Sequence, residues 1–198
     1  GRGEGYQRQT QMIAKGLDFP NVSLVGIIDI DGIINFPDFR SSERAFQLML
    51  QVAGRAGRGD KPGLVIIQSY NPQSSIIQLA QKHQFEEFTA SELTNRREFL
   101  YPPFRHIIKF CVSGENEPGV KKYAENLQQQ LKKTLVDLEV KPATPSILAK
   151  VNNKYRYTIL SFSTKPSQDA QKLHLLLSSI KKSAGINLSV DVDPTDLV

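Results

Sequence analysis

The stretch Ser41-Ser42-Glu43-Arg44-Ala45-Phe46-Gln47-Leu48-Met49-Leu50-Gln51-Val52-Ala53-Gly54-Arg55-Ala56-Gly57-Arg58-Gly59 decides how this chain is read. Its first part is patterned as a helix. Two serines followed by Glu43 are start signals, because a short hydroxyl side chain and a negative charge suit the unpaired amides of a first turn. Phe46, Met49, Leu50 and Ala53 then recur three and four apart, which places them on one face. Gly54 ends the pattern. Beyond it, two arginines three apart sit in a glycine-rich turn, and the small residues between them let the backbone approach another surface closely. Guanidinium groups stay charged and bind paired oxygens as a fork, so they are natural partners of triphosphate oxygens. A lone Gly-Arg pair is most simply a solvated basic turn; the full Gln-x-x-Gly-Arg-x-Gly-Arg spacing is far more specific.

Working outward, the run VSLVGII from Val22 to Ile28 reads as a buried strand ended by Asp29, Asp31 and Gly32, with a loop through Pro37 after it. On the other side, Leu64-Val65-Ile66-Ile67 reads as a second strand after the turn at Pro62-Gly63. Strand, helix, strand with short connections predicts a parallel sheet covered by helices. Residues 74–100 are polar and read as a helical connector without a strong apolar face. Tyr101-Pro102-Pro103-Phe104 stops it, since two prolines forbid helix continuation. The expected domains are therefore 1–73, a connector 74–100, and 101–198.

The last of these reads as strand, helix, two strands, helix, strand. Its first helix, 119–138, presents Val120, Tyr123, Ala124, Leu127, Leu131, Leu135 and Leu138; its second, 167–184, presents Ala170, Leu173, Leu177, Ile180 and Ala184. The final strand alternates Leu188, Val190 and Val192 with polar residues. This order predicts a small ferredoxin-like α+β sandwich. Cys111, in the run Ile107-Ile108-Lys109-Phe110-Cys111-Val112, is expected to be a buried core thiol.

Composition narrows the function classes. No stretch reaches the roughly 20 apolar residues of a membrane span, and no signal-peptide pattern opens the chain. A single cysteine excludes a disulfide framework or a cysteine zinc cluster within this sequence. A reducing, cytoplasmic setting is the expectation. The net charge of +5 is unevenly placed: residues 1–100 carry 11 basic and 11 acidic side chains, residues 101–198 carry 14 and 9. An excess confined to one half suggests a polyanionic partner there, although a merely soluble surface explains it equally well. Within that half, Lys150-Val151-Asn152-Asn153-Lys154-Tyr155-Arg156-Tyr157 interleaves cations and rings around a hairpin-like Asn-Asn tip. Cations for phosphate and rings for exposed bases are what single-stranded nucleic-acid sites use; an edge strand kept soluble by charge is the plain alternative. His83, His106 and His174 lack ligand spacing, Glu86-Glu87 reads as a solvated helix face, and Asp29 and Asp31 read as structural, so no metal site is expected.

The arginine turn resembles the last conserved motif of superfamily-two helicases. That resemblance implies that Gln51 approaches the γ-phosphate, that Arg58 is the arginine finger, and that Arg55 neighbours it at the phosphates. Thr10-Gln11-Met12-Ile13-Ala14-Lys15-Gly16-Leu17-Asp18-Phe19-Pro20-Asn21-Val22 resembles the preceding motif, in which Thr10 and Gln11 contact DNA and Gly16 and Asp18 lie beside ATP. Taken with NFPDFRSSERAFQLMLQVAGRAGRG, VIIQSYNP and YPPF, the chain is similar to the PriA family of primosomal replication-restart helicases through most of residues 10–110. A weaker echo follows in Asp191-Val192-Asp193-Pro194.

What the resemblance implies is the C-terminal portion of an ATP-dependent 3′-to-5′ DNA helicase: part of the second RecA-like lobe, then a domain for DNA and partner proteins. Forked, branched or single-stranded DNA, the single-strand DNA-binding protein and other primosome proteins are the implied partners. Lys150, Lys154, Tyr155 and Arg156 are the DNA candidates, and a cytoplasmic, nucleoid-associated location follows. ATP and magnesium belong to the complete protein, as does the family's cysteine-bound zinc, since the cysteines it needs are not in this sequence. Gly54 to Gly59 mimics the glycine spacing of a phosphate loop, but Asp60 stands where lysine is required. The chain alone is therefore not expected to hydrolyse ATP. Another superfamily-two translocase, or a non-catalytic binding module with a relic helicase half, are the competing readings.

Overall fold

The structure, a computed structural model, describes residues 24–54, 63–180 and 183–197. Contacts divide it into two units: the described residues up to Phe36 with Arg40–Glu92, and Pro37–Phe39 with the residues from Leu93 onward.

In the first unit, β1 (Leu24–Ile27) and β2 (Leu64–Ile67) pair in parallel, with Leu24 opposite Leu64 and Ile27 opposite Ile67. Their connection carries α1 (Ile30–Ile34) and α2 (Ser41–Ala53). The period of two turns Val25, Ile27, Val65 and Ile67 towards a core built on Ile30, Ala45, Phe46, Met49 and Val52. Leu24, Leu64 and Ile66, on the other face, are more than half exposed.

Three local expectations change. The loop expected after Ile28 begins with α1: Asp29, at φ 57°, caps that helix by accepting from the Gly32 amide at 3.2 Å. Ser41 is not the cap of α2. Arg40 holds that position without a side-chain cap, and the buried Ser41 hydroxyl donates to the Phe36 carbonyl. The connector 74–100 is two helices, α3 (Ser75–Gln81) and α4 (Phe85–Glu98), interrupted at His83 with φ 54°. Ile77, Ala80 and Phe88 from it are buried in the first core, where Phe88 stacks on Phe46 at 4.0 Å. Few apolar residues suffice because Phe46 supplies the large partner.

The second unit follows the expected order with one addition. Its elements are β3 (His106–Gly114), α5 (Glu117–Thr134), β4 (Glu139–Val140), β5 (Thr144–Val151), β6 (Lys154–Ser163), α6 (Pro166–Ser179) and β7 (Ile186–Val192). The antiparallel sheet runs β4-β6-β3-β7, with β5 also paired to β6. Returning to lie beside β3 rather than beside its sequence neighbour, β7 gives the split βαβ arrangement.

Helix α5 starts where Asn116 accepts from the Gly119 amide at 2.8 Å and Pro118 occupies the first turn, where a missing N–H costs nothing. Val120, Ala124, Leu127 and Leu131 form its buried face. The helix ends at Thr134, four residues short of the expectation, yet Leu135 and Leu138 remain in the core from the turn beyond. Truncating one such buried leucine costs about 2–5 kcal/mol. Helix α6 likewise stops early, at Ser179, and there Ala170 is exposed while Asp169 is buried beside the Ser163 hydroxyl. The first turn of α6 faces a serine of β6, so a carboxylate rather than a methyl group meets it.

Cys111 is not a core thiol. Phe110 and Val112 point at the helices, so strand alternation sends Cys111 to the opposite face, partly buried between Thr158 and Ser189. Val190 and Val192 alternate as expected, but on the edge strand β7 they stay 37% and 46% exposed.

Candidate functional site

In the sequence the arginine motif follows α2. Ala45, Phe46, Met49 and Val52 anchor one side of this helix in the first core, and Gln51 is exposed in its last turn. Gly54 follows as the C-cap in right-handed geometry, its amide bonded to the Leu50 carbonyl at 2.9 Å. Arg55 and Arg58 lie outside the described residues, as do Thr10, Gln11, Gly16 and Asp18. Of the nucleotide candidates only Gln51 is therefore placed, at the exposed end of a buried-faced helix. A helix C-terminus carries partial negative charge, which favours cations just beyond it.

The two carboxylates after β1 serve the backbone. Asp29 caps α1, and Asp31 accepts from the Ser69 hydroxyl and the Tyr70 amide, both at 2.9 Å, tying α1 to the segment after β2. Among the described residues no group of three or more His, Cys, Asp or Glu side chains is placed to hold a metal.

In the second unit, Asn152 and Asn153 form the β5–β6 turn with φ 49° and 60°. Asparagine tolerates this left-handed backbone, which the type I′ turn of a two-residue hairpin requires at both positions. The strand then separates the interleaved residues. Tyr155 and Tyr157 share the helix-facing side, opposite Gly114 and Val112, and Tyr157 is buried in the core. Lys154 and Arg156 emerge on the other side, where Arg156 shares a row with Ser113 and Asn187. Lys150, opposite Tyr155, places its ammonium 4.5 Å over that ring and donates to its hydroxyl at 3.2 Å. The four DNA candidates are thus brought to one hairpin but split between its two faces.

Sequence reasoning missed a second cluster, which covers the sheet's helix-free face at its other end. Tyr101 stacks on Phe39 at 5.2 Å and 14°, and lies 6.1 Å from Phe162 of β6. The Arg96 guanidinium sits 5.1 Å from the Phe39 centroid, and the Lys141 ammonium 5.8 Å from that of Phe162. Lys141 also bonds Glu139 at 2.6 Å; with Arg105 at 3.2 Å it holds the Glu139 carboxyl below its ordinary pKa. The C-terminal strap joins the same face. Asp193 accepts from the Ile107 amide at 3.1 Å and bonds His106 Nδ1 at 2.6 Å, and the Leu197 amide donates to Asp38 at 3.0 Å. YPPF and Asp-Phe-Arg are visible in the sequence, but no periodicity links residues so far apart.

A mixed α/β chain with a parallel strand pair and an antiparallel five-stranded sheet is the class these units define. Residues 97–195, nearly coincident with the second unit, match the family described as the primosomal protein N C-terminal domain, PriA_C, and the chain belongs to that family. It is 40% identical over 189 residues to "Replication restart protein PriA" of Bacillus subtilis, covering 93% of this chain and 24% of that protein. The protein of the same name from Synechocystis is 38% identical over 198 residues, covering 95% and 22%. That from Rickettsia felis is 40% identical over 185 residues, covering 93% and 28%. The chain thus spans about a quarter of the length of these relatives. Among solved structures, the de novo designed protein Foldit4 matches 46% of this chain and 98% of its own, at 13% identity and a TM-score of 0.37. No helix among the described residues is long and apolar enough to cross a membrane.

Proposed function

We propose that this chain is the C-terminal portion of an ATP-dependent, 3′-to-5′ superfamily-two DNA helicase that engages stalled or branched forks and restarts replication through primosome assembly. In this reading residues 1–73 are part of the second RecA-like lobe, 74–100 connect it, and 101–198 form a ferredoxin-like domain for DNA and partner proteins. The observation that supports the reading is that α2, a core-anchored crossover helix of a parallel strand pair, ends at Gly54, the residue before Arg55 in the sequence, in a chain of this family. The exposed apolar face of Leu24, Leu64 and Ile66 supports it too, because parallel sheets are ordinarily covered on both sides. The relatives' names support the role in replication restart.

ATP with magnesium is the group this reading requires in the complete protein, and the donor chemistry suits it: an exposed amide at Gln51, then two guanidiniums. When bound, ATP supplies the phosphoryl group. This chain's share is to orient Gln51, to bring Arg55 and Arg58 to the phosphates, to set Gly16 and Asp18 beside the nucleotide, and to hold DNA through Thr10 and Gln11. The family's zinc belongs to cysteines elsewhere in the complete protein. The single-strand DNA-binding protein and other primosome proteins are the partners, and the location is cytoplasmic at the nucleoid.

Arg58→Ala in the complete protein tests the catalytic part. An arginine finger is worth about 10³–10⁵ in rate, so ATPase and unwinding should fall by at least that lower figure. Unchanged turnover sinks the helicase reading and leaves a non-catalytic binding module. Fluorescence anisotropy of the 198-residue chain on forked and single-stranded DNA, at about 50 and 200 mM salt, tests the DNA part. Removing Lys154 and Arg156 together should lower the log–log salt slope by roughly 1.8 if both neutralise phosphates. Tyr155→Ala should leave the slope alone, and absence of binding removes the DNA role.

A further inference from the structure

Within the second unit, α5 and the segment that follows α6 enclose a cavity of about 470 Å³. Leu127, Ile180 and Ala184 give it an apolar floor, and Tyr123, half-buried against the core, adds an aromatic ring to the lining. The polar part of the lining is Asn126, Gln130 and Ser183, all exposed. Small-ligand sites measure roughly 300–1,000 Å³, so the space is of the right order for one. Its Ser183–Ala184 wall is held by the sheet. Gly185 follows at φ 75°, and its carbonyl oxygen comes so close to Gly114 that a Cβ there would stand 2.6 Å away. That wall is preformed rather than free to close.

The lining selects the occupant. Asn126 and Gln130 lie one turn apart on α5, so their amides stand side by side, each offering donors and an acceptor. Amide pairs of this kind match the edge of a nucleobase, and an aromatic ring matches its face. None of the described residues lining the cavity is charged. Cations flank it instead: Lys122 is exposed one turn before Asn126, and Lys133 just under a turn beyond Gln130, on the same stripe of the helix. Neutral amides between two lysines suit a planar polar group carried on an anionic backbone. The Lys150–Tyr155 pair lies on the same side of the sheet. Tyr155 is opposite Gly114, which is in turn opposite Ile186, so two strand spacings, about 10 Å, separate that pair from the strand that leaves the cavity wall.

We propose that this cavity takes a single unpaired nucleobase of a DNA strand whose phosphates lie towards Lys122 and Lys133. The proposal rests on the reading of residues 101–198 as a DNA-binding domain. Rotating either amide exchanges its oxygen and nitrogen, so the cavity registers that a base is unpaired more than which base it is.

The test is fluorescence anisotropy of the 198-residue chain on two forks that differ only in the single-stranded arm, one with normal nucleotides and one abasic throughout. The phosphates are then the same in both. The parent should bind the abasic fork about tenfold more weakly, the loss expected for one stacked base. Asn126→Ala with Gln130→Ala, at exposed positions where alanine keeps the helix, should weaken the normal fork about fivefold and leave the abasic fork unchanged. Tyr123→Leu, which keeps apolar packing and removes the ring, should lose the same preference. Lys154→Ala with Arg156→Ala should weaken both forks alike. Equal affinity of the parent for the two forks overturns the base site, as does an amide variant that keeps the parent's preference. If the parent binds neither fork, the DNA reading of the domain falls and the base site with it. If it binds both equally while Lys154→Ala with Arg156→Ala weakens both, the DNA reading stands and the base site alone is wrong. A short oligoglutamate peptide that binds the parent but not the amide variant, alongside equal binding of the forks, overturns the proposal in favour of a protein partner.

Discussion

Gly114, at the end of β3, offers the sharpest test of the second unit's packing. A Cβ placed there would lie 2.6 Å from the Gly185 carbonyl oxygen and 3.0 Å from Val120 Cγ2. The nearer atom is backbone and cannot rotate aside. Ordinary contact is at roughly 3.5 Å, so the turn before β7 would have to retreat by about 0.9 Å. That turn is already constrained, because Gly185 sits at φ 75° and the next residue, Ile186, is paired with Gly114. Forced overpacking of this kind costs about 1–3 kcal/mol. For a unit near 100 residues each kcal/mol is worth about 4–8 °C, so Gly114→Ala should lower its melting temperature by about 4–24 °C. Thermal denaturation read alongside amide exchange of β3 and β7 locates the effect in this unit. Gly26→Ala is the control, since nothing lies within 4 Å of its Cβ. If Gly114→Ala melts within about 1 °C of the parent, the close approach of strand and turn is wrong.

Two smaller perturbations probe the hairpin and the aromatic face. Asn153→Val forces a β-branched residue to φ 60° and should destabilise the second unit by about 1–2 kcal/mol, whereas Asn153→Gly should be neutral or better; urea midpoints compare them. Lys141→Ala removes the bond that most lowers the Glu139 pKa. A carboxyl held below its ordinary value contributes stability above its unfolded pKa and loses it as pH falls through the folded one. The pair is exposed, so the gap between variant and parent should be only about 0.5 kcal/mol at neutral pH. It should narrow as pH drops below the carboxylate range. The Phe162 contact of Lys141 is independent of Glu139 titration, so a gap unchanged down to acid pH would assign the whole effect to that contact.

What was legible in the sequence had a period. The face of α5 followed from spacings of three and four; that of α2 did so at Phe46 and Met49, while Ala45 and Val52 are buried in place of Leu50 and Ala53. The split βαβ arrangement followed from the order of strands and helices. The Asn-Asn turn was legible because so few residues tolerate its backbone. Asp29-Ile30-Asp31-Gly32 misled because a cap and a loop use the same residues, and only the Asp29–Gly32 bond tells them apart. Cys111 misled because a continuous apolar run hides which side of a strand each member takes. The ring stack was invisible for another reason: Phe39, Tyr101 and Phe162 are distant in sequence, and nothing local in one implies the others. The arginine motif was the most specific signal, and both of its arginines lie outside the described residues.

The same alternation bears on how the second unit would meet DNA. Its basic excess does not amount to one stacked groove of rings and cations. Arg105 and Lys141 share Glu139, and Lys172 approaches Asp137 at 3.7 Å, so part of that charge is answered within the domain. Tyr157 is spent on the core, and Tyr155 is engaged by Lys150. Lys154 and Arg156 instead share a side with the short polar residues Ser113 and Asn187, a surface suited to sugar and phosphate, while the rings of that face, Phe39, Tyr101 and Phe162, stand at its other end. A domain built this way should respond to the shape and charge of a junction more than to its sequence. Swapping bases at constant fork geometry should therefore change affinity far less than neutralising Lys154 and Arg156, and a strong preference among sequences would return Tyr155 to the role of a base-stacking ring.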